Sequence, residues 1–147
     1  MMEKDIRCEY NGYSIDIKLK HKKTILTGDS GTGKTALLEA INNKLDDCIL
    51  VDKDRLKSDK NLRSLLDELK SGKYNDKIVL IDDGDTLLNI DDVRNTINND
   101  SKSIYVITAR NPRLYNVNYK NYASITASGT ELSIKYLEDA LNEQFIY

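Results

Sequence analysis

The stretch Gly28-Asp29-Ser30-Gly31-Thr32-Gly33-Lys34-Thr35 constrains this chain more than any other. It satisfies G-x-x-x-x-G-K-[ST] at every fixed position, the pattern of a phosphate-binding loop. Thr24-Ile25-Leu26-Thr27 reads as a short strand leading in. Ala36-Leu37-Leu38-Glu39-Ala40-Ile41 reads as a helix leading out, because strong helix formers carry apolar residues at helical spacing. The glycines let successive backbone N–H groups turn toward one anion, and the helix start adds the positive end of its dipole. Lys34 would reach the β- and γ-phosphates, and the Thr35 hydroxyl would hold Mg²⁺. Residues Gly28 to Thr35 are thus the expected nucleotide-binding set.

The 147 residues suffice for one domain with a sizeable core. A formal net charge of −2 gives no strong signal for nucleic acid or an anionic membrane as partner. No apolar run approaches the roughly 18–20 residues of a membrane span. Met1-Met2-Glu3-Lys4-Asp5 lacks the apolar core of a secretion signal, so a cytoplasmic location is expected. Cys8 and Cys48 lie in separate strand-like runs without a CxxC pair, and the sole histidine, His21, sits among lysines. Reduced core cysteines fit this pattern better than a zinc site.

Along residues 1–20, Ile6, Cys8 and Tyr10 share one strand face and Tyr13, Ile15, Ile17 and Leu19 another. Asn11-Gly12 between them predicts a β-hairpin with a type I′ turn. His21-Lys22-Lys23 reads as a solvated turn. After the phosphate loop a helix runs to about Leu45, followed by the strand Cys48-Ile49-Leu50-Val51. Leu62, Leu65, Leu66 and Leu69 predict an amphipathic helix from about Ser58 to Ser71, stopped by Gly72. Ile78-Val79-Leu80-Ile81 has the continuous apolar character of a central parallel strand. Ile90, Val93 and Ile97 mark a further helix, Ile104 to Thr108 another central strand, and Tyr122 to Thr126 a fifth. A terminal helix is expected from about Leu132 to Asn142, within a C-terminal segment 131–147 that follows a core of residues 24–127. Strands alternating with helices predict a three-layer α/β fold with a mostly parallel five-stranded sheet and right-handed crossovers.

Four apolar residues followed by Asp82-Asp83 have the form of a Walker B strand, whose first acid can hold the water shell of Mg²⁺. A second acid directly after it can orient an attacking water. With the phosphate loop, these residues resemble the additional-strand branch of P-loop NTPases, which includes the AAA+, ABC and RecA-like ATPases. The resemblance covers roughly residues 24–126. It implies sheet order 5-1-4-3-2 counted from the phosphate-loop strand, with Ile104–Thr108 as the inserted strand. It also implies ATP and Mg²⁺ as ligands, Thr35 and Asp82 as metal-holding residues, and Lys34, Asp83, Thr108 and Arg110 as catalytic residues. In this scheme Thr108 senses the γ-phosphate, and Arg110 or Arg113 acts on a neighbouring subunit's nucleotide. The hairpin ahead of the loop is similar to the antiparallel β-layer of ABC-type ATPases.

Several departures separate this chain from the family pattern. The usual second Walker B acid is Glu, whereas here it is Asp83, with Asp85 a candidate substitute. No LSGGQ signature is present, and no helical lid with a sensor arginine is expected after the core, which points to a minimal ATPase core. Asn43-Lys44-Leu45-Asp46 spells a guanine-reading pattern but falls in the helix after the phosphate loop, so ATP is preferred to GTP. Three functional readings follow. The chain is a weak Mg²⁺-dependent ATPase used as a switch or small motor core; or a nucleotide-gated binding module with a protein partner or self-association and little turnover; or a small-molecule kinase with Asp52, Asp54 and Arg55 at the acceptor site.

Overall fold

The computed structural model describes residues 3–28, 33–51, 58–82, 84–85, 90–110 and 119–144. The alternating N-terminal residues form β1 (Lys4–Tyr10) and β2 (Tyr13–Leu19), antiparallel, with Tyr10 opposite Tyr13. Asn11 and Gly12 take φ of 48° and 82° between them, the left-handed backbone that a type I′ turn requires. The parallel core strands are β3 (Lys23–Thr27), β4 (Cys48–Val51), β5 (Ile78–Ile81), β6 (Ile104–Ala109) and β7 (Tyr122–Ser128). They lie in the order β7-β3-β6-β5-β4, every neighbouring pair parallel. Helices α1 (Lys34–Lys44), α2 (Asp59–Ser71) and α3 (Asp91–Asn99) connect them. Ser58 caps α2 by accepting from the Asn61 amide, and Gly72 ends it at φ 82°.

Two expectations are corrected here. Residues 131–136 are not helical: they form β8 (Glu131–Tyr136), and α4 (Leu137–Gln144) starts only after it. Leu132 and Tyr136 are buried and Ile134 packs beside them, an every-second-residue pattern that belongs to a strand, not a helix. Gly129, at φ 62°, turns the chain so that β8 pairs back on β7, Ser128 opposite Glu131. The sheet is therefore a mixed one of eight strands among the described residues, not five, in the order β1-β2-β8-β7-β3-β6-β5-β4. The N-terminal hairpin is no separate layer. It joins the sheet through a short parallel pairing, Ser14 with Glu131 and Ile15 with Leu132, extended by a 2.9 Å bond from the Ser14 amide to the Thr130 carbonyl.

The sheet is also curled. Laid flat, its seven strand spacings would span about 34 Å, whereas a helix is about 10–12 Å across. Yet α1 packs against both β1 and β4, the two edges. The Cys8 thiol faces the Ala40 carbonyl of α1 at 4.0 Å, and Lys4 on β1 lies 3.9 Å from Asp47 just before β4. The concave face around α1 holds one apolar cluster, which includes Ile6, Ile15, Ile17, Leu38, Ile41, Leu80 and Val106. The opposite face holds the other, where α2 and α3 cover β4, β5, β6 and β3 through Leu65, Leu69, Val93 and Ile97. Both cysteines are free and half-buried, and burial pushes the Cys48 thiol up to about 11.

The segment His21-Lys22-Lys23 is more than a solvated turn. The Lys23 ammonium reaches the Asn98 and Asp100 carbonyls, 3.0 Å each, and so closes the C-terminus of α3, while Lys22 donates to the Ser101 carbonyl. His21 Nε2 lies 3.5 Å from the Glu138 carboxylate, and Lys20 holds Asp139 at 2.9 Å, so the same segment also anchors α4. The reason is positional: the segment enters β3 at the end of the sheet where the carbonyl terminus of α3 leaves exposed acceptors.

Because Ile6 is 2% exposed within the α1-facing cluster, Ile6→Ala is expected to destabilise the whole protein by about 2–5 kcal/mol. Urea unfolding should show one shifted transition; a hairpin that melts alone would leave the main transition in place.

Candidate nucleotide site

The site grows from the upper ends of the parallel strands. Thr24, Ile25 and Leu26 are buried, so β3 is fixed up to Thr27, and Gly28 leaves it at φ 146°. Gly33, at φ 93°, precedes α1, and its carbonyl accepts the Leu37 amide at 2.9 Å. No side chain caps this helix start, and no acidic residue lies in its first turn. The first amides of α1 lie outside the intrahelical ladder, and among the described residues no side chain caps them. Lys34 stands at this positive end, where a cation is disfavoured. Its ammonium donates to the Gly28 carbonyl, drawn back over the loop. Helix-start amides outside the intrahelical ladder, a positive dipole end and a lysine folded back over the loop together suit an anion.

Beside it lies Asp82, at the end of β5, with both carboxylate oxygens occupied. The exposed Thr35 hydroxyl donates to Oδ2 and the buried Thr108 hydroxyl to Oδ1, each at 2.9 Å. Three elements thus converge on one carboxylate: α1, β5 and β6. The turn after β5 is tied to the tip of β6 twice more. The Gly84 amide donates to the Thr108 carbonyl at 2.7 Å, and the Arg110 amide donates to Asp85 Oδ2 at 2.7 Å. Arg110 itself is exposed.

Of the expected site residues, Gly28, Gly33, Lys34, Thr35, Asp82, Thr108 and Arg110 come together in this way. Thr108 differs from the expected γ-phosphate sensor in one respect: it is 1% exposed, with its hydroxyl turned to Asp82. Asp29, Ser30, Gly31, Thr32 and Asp83 lie outside the described residues, as do Arg113, Asp52, Asp54 and Arg55. Sequence reasoning allowed Arg110 to pair with a carboxylate such as Asp85 but missed that its backbone amide makes the bond, and it missed the approach of β8 to the loop. A Cβ placed on Gly33 would meet both Leu132 methyl groups at 3.5 Å. Tyr122 packs against the cluster under α2 and α3, whereas Tyr119 is 48% exposed.

A parallel sheet in this order, with a glycine-led helix start beside a strand-end aspartate that two threonine hydroxyls hold, defines a P-loop NTPase. The chain belongs to the AAA family, the ATPase family associated with various cellular activities, whose model matches residues 24–115. No curated protein matches it. A solved structure described as "Structural Basis for Katanin Self-Assembly" is similar at 23% identity and a TM-score of 0.45, over 65% of this chain and 35% of that one. The present chain thus spans about a third of that structure's length. No helix among the described residues is long and apolar enough to cross a membrane.

Thr108→Val keeps the shape of a buried side chain but strips one donor from Asp82. It is expected to cost about 1–3 kcal/mol in urea unfolding. Thr35→Val, at an exposed bond, should cost less than half as much.

Proposed function

We propose that this protein binds ATP in a Mg²⁺-dependent manner and hydrolyses it slowly, as a nucleotide switch or a small motor core. The observation that carries the reading is the convergence of Thr35 and Thr108 on Asp82, directly beside the glycine-led start of α1. The Thr35 hydroxyl and Asp82 carboxylate form an all-oxygen donor pair, which suits a hard cation. Those two residues would hold Mg²⁺, which supplies charge neutralisation at the β- and γ-phosphate oxygens when bound.

The remaining work falls to the chain. The amides of residues 28–35 cradle the phosphates, and Lys34 exchanges the Gly28 carbonyl for phosphate oxygens. Asp83 orients the attacking water. Asp85 is less suited to that role, since its carboxylate accepts the Arg110 amide. Thr108 acts through Asp82 as a positioning residue, fixing which carboxylate oxygen faces the Thr35 side. In this reading Arg110, exposed just after β6, stabilises transferred charge on a neighbouring copy's nucleotide, which makes self-association on ATP part of the proposal.

Lys34→Ala should abolish Mg-ATP binding in calorimetry; an unchanged affinity would refute the phosphate-loop assignment. Asp83→Asn should keep binding and slow phosphate release about 10²-fold, whereas Asp85→Asn, which preserves an acceptor for the Arg110 amide, should stay near the parent rate. The reverse ranking would move the water-orienting role to Asp85. Light scattering with and without Mg-ATP, run beside the phosphate-release assay, separates a solitary hydrolase from an ATP-driven oligomer. A single turnover without steady release would favour the gated binding module.

A further inference from the structure

The candidate nucleotide site sits past the carboxyl ends of β3, β5 and β6, whereas α2 and α3 run back toward the opposite strand ends. There a cleft of about 540 Å³ opens between the last turn of α2 and α3, just ahead of β5 and β6. Its size is that of a ligand site, but sites for small molecules are mostly apolar. In this cleft Leu69 is the one apolar side chain among the described residues, and the remaining walls are amide, hydroxyl and charge. The charges narrow what fits. Asp92 is paired with Lys70 at 3.4 Å, and Asp100 accepts the Tyr105 hydroxyl at 2.6 Å and the Lys102 amide at 2.8 Å. Both carboxylates are engaged, and no metal-binding cluster occurs among the described residues. Lys102 also lines the cleft, and among the described residues its ammonium pairs with no carboxylate.

Three carboxamides line the same cleft without a hydrogen-bond partner among the described residues: Asn75, Asn95 and Asn99. The first lies against the end of α2, since a Cβ added to Gly72 would come 2.9 Å from Asn75 Nδ2. Asn95 and Asn99 stand four residues apart on one face of α3, about 6 Å along its axis. A carboxamide offers an acceptor and N–H donors, as a peptide group does. An extended peptide repeats the peptide groups on one edge about every 6.6 Å. Two successive groups on that edge therefore meet Asn95 and Asn99 in turn.

We propose that this cleft binds an extended, acidic peptide segment of a protein partner. Asn95 and Asn99 pair with its backbone, Asn75 closes the facing wall, and Lys102 takes a carboxylate. Main-chain hydrogen bonds supply the affinity in recognition of this kind, and the charged contact supplies selection. The site is separate from the nucleotide reading, and its occupancy requires no nucleotide.

The test uses the full chain, isotope-labelled for NMR, because side-chain amide signals report Asn95 and Asn99 directly. The probe is acetyl-Glu-Thr-Ala-Thr-Ala-Glu-amide, acidic at each end so that either chain direction brings a carboxylate to Lys102. It should shift both asparagine signals saturably, whereas a copy N-methylated along its backbone should not. Asn95→Ala combined with Asn99→Ala should weaken binding about tenfold. Both residues are exposed, and an otherwise unchanged spectrum reports the intact fold. Lys102→Gln should weaken the probe about threefold and leave a Gln-ended peptide unaffected. No saturable shift at Asn95 and Asn99 overturns the proposal, as does equal binding of the N-methylated copy or, by the parent, of the Gln-ended peptide. A shift of the same signals by maltotriose but not by the peptide also overturns it, marking a carbohydrate cleft instead.

Discussion

Everything in this structure depends on how α1 is buried. Its apolar residues Leu37, Leu38, Ala40 and Ile41 are fully enclosed, and the sheet bends until both of its edges touch the helix. Close packing of this kind transmits strain rather than absorbing it. The start of α1 is therefore held in register with Asp82 and Thr108, and the two hydroxyl bonds to Asp82 can be short and simultaneous. A loosely seated helix would let Thr35 wander from the carboxylate. The site is a consequence of the core: apolar packing does the positioning on which its polar bonds rely.

The same enclosure explains which parts of the fold were legible beforehand. Ile78-Val79-Leu80-Ile81 is buried at every position, and no arrangement but a central strand covered on both faces accommodates that. Asn11-Gly12 announces its turn through backbone chemistry alone. The phosphate loop and Asp82 follow from local motifs, and the order of the core strands from the family resemblance that those motifs carry. Residues 131–136 read as helix because Tyr136, Leu137, Ala140 and Leu141 form a helical stripe that overlaps the alternating Leu132, Ile134 and Tyr136. The deciding term was pairing with β7 and β2, a contact across the chain that no short window contains.

Within the site, residue types were more legible than partners. Thr108 stands at a strand tip in sequence, but its burial and its turn toward Asp82 depend on how β6 lies against β5. Asp85 reads as one acid among three in a four-residue stretch; its bond to the Arg110 amide exists only because β6 ends level with the turn after β5. Lys23 looked like part of a wet basic turn, yet it serves two carbonyls at the end of α3. In each case the missing information was the identity of a spatial neighbour.

The parallel pairing of β2 with β8 joins Ser14 to Glu131, residues far apart in sequence. During synthesis the hairpin of β1 and β2 can complete its local pairing long before β8, the strand that receives it, is made. Until then the apolar face of Ile15, Ile17 and Leu19 and the outer edge of β2 stand open, a state prone to association with other chains. Contacts of such separation are also slow to form, since a long loop must close first. The charged residues that alternate along β1 and β2, among them Asp5, Arg7, Asp16 and Lys18, make that waiting hairpin soluble, so their value is greatest before the fold is finished.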